Sequence, residues 1–225
     1  MWNGKNKAVT FSYDDGIIFD RQLVEILNRY GMKCTFNLNS GIQTAANRFE
    51  IEGKVITRMN MKELPKLYEG HEIASHTLTH PSLTELDDET IFNEVNRDIV
   101  NLENLFECDV VGMAYPYGTY SDKVVNILEQ CGIKYARTVE ATENCALQKD
   151  LLRFRSTCHH KNANLDKIIG SFLDYDGTEP QLLYIWGHSY EFYVDDNWEL
   201  FESICSRLSG RDDIFYCTNR QAFGL

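Results

Sequence analysis

The chain has 225 residues, 43% of them hydrophobic and 12% aromatic, with four prolines and no repeated or low-complexity tract, which describes one globular domain over residues 1–225. Its 34 acidic residues outnumber 22 basic ones, for a net charge of −12, and the positive charges are scattered, which argues against nucleic acid or an anionic membrane surface as a partner. No apolar leader core and no run of about 18 apolar residues is present, so neither a signal peptide nor a membrane helix is expected, although a chain trimmed of its leader would read the same.

Short β-like runs alternate with helix-like runs from end to end, with strands expected at 8–12, 33–38, 71–75, 109–114, 133–137, 151–156, 181–187 and 213–217. The first strand lies in "VTFSYDDG" and ends in two adjacent carboxylates, Asp14 and Asp15. Side by side they repel and lose hydration unless something positive sits there. A divalent metal would resolve the cost, with one Asp as ligand and the other taking a proton from water. An ordinary Asp-Asp-Gly turn is the competing reading.

A helix follows, with Phe19, Leu23, Ile26, Leu27 and Tyr30 on one face and Gly31 as its stop. The strand at 71–75 runs into "HTLTH", where His76 and His80 stand four apart and could face one ion. Such a pair is a weak signal alone, and Pro81 points to a compact loop in place of a helix at His80. Asp88 to Phe106 reads as a helix with Ile91, Val95, Ile99, Leu102 and Phe106 on its apolar stripe. Next comes "AYPYG", in which Tyr115 and Tyr117 form a stiff aromatic rim or a plain βα turn, ahead of a helix with Ser121 as N-cap and Gly132 past its end. "LLRFRST" places Arg153 and Arg155 on one strand face, and "LLYIWGH" delivers Trp186 and His188 to a strand end.

This alternation suits an open doubly wound sheet or a closed barrel. In both, ligands gather at the C-terminal ends of the strands, where Asp14, Asp15, His76, Tyr117 and His188 are expected. The seven cysteines form no C-x-x-C pair and sit mostly in apolar stretches, so free thiols and a cytoplasmic location are expected, with one or two disulfides as the alternative.

Together the ordered segments "TFSYDDG", "HTLTH", "AYPYG" and "LLYIWGH" resemble the polysaccharide deacetylases of the NodB-homology type, carbohydrate esterase family 4, over residues 8–217. The resemblance implies a single-domain α/β fold, a distorted (β/α)7 barrel. It implies Asp15, His76 and His80 as ligands of a divalent metal, zinc first among several. It further implies Asp14 as general base, the backbone N–H of Tyr117 as an oxyanion donor, and His188 as general acid. The implied substrate is an N- or O-acetylated sugar or polysaccharide, with a water activated at the metal as nucleophile.

Two departures stand out. Ala114 replaces the family's third-motif Arg, for which Arg155 is a candidate substitute, an ordinary surface ion pair being the alternative. No clear copy of the fourth motif, whose Asp tunes the catalytic His, is visible, although Cys158, His159 and His160 lie in that region. A small-amide or imide hydrolase and a carbohydrate-binding relative without turnover remain the competing functions. The rim aromatics Tyr117, Trp186, Tyr190 and Trp198 could stack on a sugar or simply pack.

Overall fold

β1, Lys7–Asp14, is buried along its whole length, as a strand with neighbours on both edges and packing on both faces must be. The computed structural model describes residues 2–225. After β1 come α1 (Asp20–Arg29), β2 (Cys34–Leu38), β3 (Arg48–Ile51), β4 (Lys54–Thr57), α2 (Leu64–Leu67), β5 (Glu72–Ser75) and α3 (Asp88–Phe106). The chain continues with β6 (Gly112–Ala114), α4 (Asp122–Gln130), β7 (Tyr135–Ala141), β8 (Phe154–Ser156), β9 (Cys158–His159) and α5 (Leu165–Leu173). It ends with β10 (Gln181–Gly187), α6 (Ser189–Val194), α7 (Trp198–Leu208), β11 (Ile214–Tyr216) and α8 (Asn219–Phe223).

The main sheet runs β8-β7-β6-β5-β2-β1-β10-β9. β8 and β9 are halves of one extended segment: the first pairs with β7 and the second with β10, so the sheet closes on itself. Counted once, that segment joins β1, β2, β5, β6, β7 and β10 in a ring of seven parallel positions, a (β/α)7 barrel and not an open sheet. β11 lies outside the ring order, pairing with Lys7–Val9 below the point where β2 takes over at Phe11.

Side chains alternate between the two sides of this wall with a period of two. Val9, Phe11, Tyr13, Leu183 and Ile185 join Leu23, Leu27, Ile91 and Val95 in the layer between strands and helices. Ala8, Leu182, Tyr184, Trp186 and Phe154 form a second cluster with Trp2, Cys217 and Ala222 that fills the lumen. α8 closes the far mouth: Trp2 Nε1 donates to Ala222 O, and Asn219 Nδ2 donates to the Tyr184 hydroxyl at 2.7 Å.

The expected strands all have counterparts, with 151–156 shortened to β8. The expected Ser121 cap forms, its side chain accepting from Val124 N–H, and Asp87, not singled out beforehand, does the same for Thr90 at the start of α3. The antiparallel hairpin β3–β4, turned by Glu52 and Gly53 at positive φ, is an addition to the expected list. Among the described residues no helix is long and apolar enough to cross a membrane, and all seven cysteines are unpaired thiols.

Candidate active site

Every strand of the ring points its C-terminal end at one mouth, and the polar residues flagged by sequence converge there. Asp14 is the last residue of β1 and Asp15 the first beyond it, turned back at φ 82° with its N–H donating to Asn37 O. Asp14 Oδ2 lies 4.0 Å from His76 Nε2 and 3.9 Å from His188 Nε2, between two imidazoles.

His76 follows β5, and His80 turns back toward it at φ 64° after the Thr77 hydroxyl has accepted its N–H. Their Nε2 atoms are 3.1 Å apart. The other ring nitrogen of His76, Nδ1, is 2.7 Å from Ala114 O, where its proton belongs, which leaves Nε2 as a lone pair. Burial pushes His76 down to about 4, with help from neighbouring His80, and burial lowers His80 as well. One ligand atom from each of Asp15, His76 and His80 lies within 4.8 Å of the others.

Both carboxylates are buried, and burial alone would favour their protonated forms. For Asp14 this is more than offset by the guanidinium of Arg137, assisted by His76 and His188, so its acidity is raised. Arg137 Nη2 sits 2.7 and 2.5 Å from the two Asp14 oxygens, and Asn37 Nδ2 donates to Oδ1 at 2.8 Å. For Asp15 the opposing charge is Arg58, 3.0 Å from Oδ1, and its pKa falls to about 2.

Arg137 answers the departure at Ala114. The two residues are register partners on β6 and β7, so the missing guanidinium arrives from the next strand and not from the third motif. Arg155, the expected substitute, is not brought to the site. In β8 the residues alternate buried, exposed, buried, which turns Arg155 outward, where its backbone meets the Gln148 side chain. Arg153 likewise faces out and pairs with Asp150 and Asp122.

His188 follows β10 and heads α6, three residues before Glu191. Glu191 Oε2 accepts from the His188 N–H at 2.9 Å, lies 3.3 Å from its Nδ1 and 3.0 Å from His159 Nε2. Burial would lower His188, but the bond to Glu191 and the charges of Asp14 and Asp15 outweigh it and raise it to about 8. Glu191 thus stands where the absent fourth-motif Asp was sought, carried on a helix beyond the histidine. His160 is buried beneath this group, and Gly187 makes the room: a Cβ there would lie 2.1 Å from the His160 ring.

The aromatic candidates divide. Tyr117, at φ 58°, is 65% exposed, and its ring meets His80 edge-on at 4.7 Å, on the rim as expected. Tyr190 stacks on His188 at 5.0 Å. Tyr115 is interior: its hydroxyl donates to Leu152 O and its ring stacks on Tyr120. Trp186 faces into the barrel, where its ring packs 4.2 Å from the Arg137 guanidinium, so strand alternation takes it off the rim.

A family model described as polysaccharide deacetylase matches residues 3–136, ending one residue before Arg137. Chitin deacetylase 1 of Cryptococcus neoformans var. grubii is 29% identical over 123 residues, which are 54% of this chain and 23% of that protein. The chitin deacetylase of Colletotrichum lindemuthianum superposes with a TM-score of 0.65 at 16% identity, over 98% of this chain and 90% of that one. A family 4 carbohydrate esterase from Streptomyces lividans, solved with acetate, gives 0.59 at 16% identity over 91% and 88% of the two chains. At these identities the structural likenesses speak for the barrel.

Proposed function

The chain belongs to the polysaccharide deacetylase family, and from that premise we propose that it is a metal-dependent hydrolase removing acetyl groups from an N- or O-acetylated carbohydrate. The observation that carries the reading is the convergence of Asp15, His76 and His80 beside a second buried carboxylate already held by an arginine. The donor set fits a divalent cation. Both imidazoles are biased to the neutral form a ligand needs, and their 3.1 Å nitrogen separation is near the roughly 3.3 Å edge of a tetrahedral zinc shell. Zinc is the first choice for two nitrogens and one carboxylate oxygen.

When bound there, the cation supplies a Lewis acid that polarises an acyl oxygen and makes water more acidic. The protein's own groups do the rest. Asp14, kept ionised by Arg137, accepts the proton of the attacking water, and Arg137 holds the carboxylate in one orientation while it does so. His188, protonated at neutral pH with Glu191 behind it, donates to the departing nitrogen or oxygen from across Asp14. The backbone N–H of Tyr117, a residue exposed on the rim beside His80, is the oxyanion donor in this reading, and its ring with that of Tyr190 offers a sugar two apolar faces.

The test is acetate release from a panel of acetylated oligosaccharides, carrying amide and ester acetyls, by the metal-stripped and zinc-reloaded protein. Release that disappears on stripping and returns with zinc is the expected result. Zinc-loaded protein that releases acetate from neither class would overturn the reading.

A further inference from the structure

The adjacent carboxylates do not share one counter-charge. Arg137 serves Asp14, and Arg58, just past β4, serves Asp15. Arg58 grips Asp15 at two points: Nη2 donates to Oδ1 at 3.0 Å and Nη1 to the main-chain oxygen at 2.5 Å, while Nη1 also reaches Asn39 Oδ1 at 3.1 Å. Holding both ends of a residue at φ 82°, where a side chain is disfavoured, fixes the turn and the carboxylate rotamer together. Arg58 is itself held. It is 5% exposed, its N–H donates to Asn47 O, and its guanidinium lies 5.8 Å from the Phe49 ring of the hairpin.

We propose that Arg58 is a positioning residue that balances and orients the Asp15 carboxylate ahead of metal loading, and in doing so weakens the hold of the site on its cation. The inference rests on the function proposed above. With two carboxylates and two guanidiniums the cluster is electrically even, so folding needs no metal to relieve Asp14 and Asp15. A divalent ion then enters against a fixed positive neighbour that already occupies one oxygen of its acidic ligand. Like charges a few ångströms apart in a buried site oppose each other strongly, and a guanidinium beside a carboxylate lowers its basicity and so makes it a poorer donor. The hairpin that carries Arg58 thereby sets the affinity of a site it does not itself ligate.

The experiment is calorimetric titration of zinc into metal-stripped wild type, Arg58→Met and Arg58→Lys, with thermal unfolding of each with and without zinc. Wild type is expected to bind one ion per chain. Arg58→Met is expected to bind about tenfold more tightly and to gain more in Tm on zinc addition, from a lower metal-free starting point, and Arg58→Lys to stay near wild type. Should Arg58→Met not fold without zinc, Arg58→Gln, which can still donate to Asp15 but carries no charge, is read in its place and is expected to bind more tightly in the same direction. Equal or weaker zinc binding by Arg58→Met, with wild type binding normally, would overturn the inference. Failure of wild type to bind zinc would instead overturn the metal site itself.

Discussion

Arg137 and Asp14 lie on strands separated by three others one way round the barrel wall and two the other, yet both oxygens of the carboxylate meet one guanidinium nitrogen, at 2.7 and 2.5 Å. The pair crosses the lumen and is almost wholly buried. It ties the orientation of the proposed base to the far side of the barrel.

Arg137→Met leaves that carboxylate buried and unmatched. The expected costs are about 3–5 kcal/mol of stability and a fall in kcat of about a hundredfold or more. Asp14 ordinarily stays ionised because Arg137 and the histidines outweigh its burial, so removing the arginine raises its pKa. The acid limb of kcat/KM should therefore move to higher pH. Rates measured across pH on variant shown to be folded by circular dichroism check this; an unmoved acid limb would separate Arg137 from the base.

Asp14→Asn and Asp15→Asn should fail in different ways. The first keeps the His76, His80 and Asp15 donors, so zinc content stays near one per chain while acetate release falls by about a hundredfold or more. The second removes a ligand, and zinc content itself should drop. Elemental analysis beside the acetate assay distinguishes them.

Glu191→Gln should move the alkaline limb. His188 is raised to about 8 because the bond to Glu191 and the charges of Asp14 and Asp15 overcome its burial. Without the Glu191 charge its folded pKa drops, the proton needed for the leaving group is lost earlier, and kcat/KM declines from a lower pH. In the unaltered protein a raised histidine adds stability that is full below its unfolded pKa and is lost as pH rises through about 8. Glu191→Gln should shrink that contribution, which denaturant unfolding at pH 6 and pH 9 would reveal.

Asp20, the first residue of α1, offers a pH test away from the chemistry. Burial raises it to about 7 even though Ser189 and Tyr68 donate to its two oxygens. The folded protein then keeps a proton that the unfolded chain releases near the ordinary carboxylate range. The sign follows: stability falls as pH climbs from about 4 to 7. Asp20→Asn should flatten that slope in urea titrations, and an unchanged slope would count against the burial argument.

Much of this was legible because chemistry and period coincide. Each of Asp14, His76 and His188 closes or follows an apolar run that is also a strand, and the parallel topology brings those ends together without further information. The partners were harder. Arg137 occupies the last place of an expected strand at 133–137, where a buried cation in an apolar run was the available signal, but contact with Asp14 across the lumen is set by barrel closure, which no local pattern encodes. Arg155 failed on parity: Phe154 and Ser156 take the inner positions, so the residue between them faces water. The same parity withdrew Trp186 from the rim. Glu191 was visible three places after His188, and "RFEIEGKVIT" carries the alternation and turn of the hairpin that holds Arg58, yet neither contains a residue that announces catalysis.

The seam at 154–159 bears on how the chain is made. β1 acquires its β10 neighbour, Lys7 opposite Gln181, only after residues 181–187 have been synthesised, and until then one flank of the first strand and the free side of the 154–159 segment are open edges. Unpaired flanks of apolar strands invite pairing between chains. A form ending before β10 would be a sticky crescent, and the arrival of residues 181–187 converts it into a ring with no such edge.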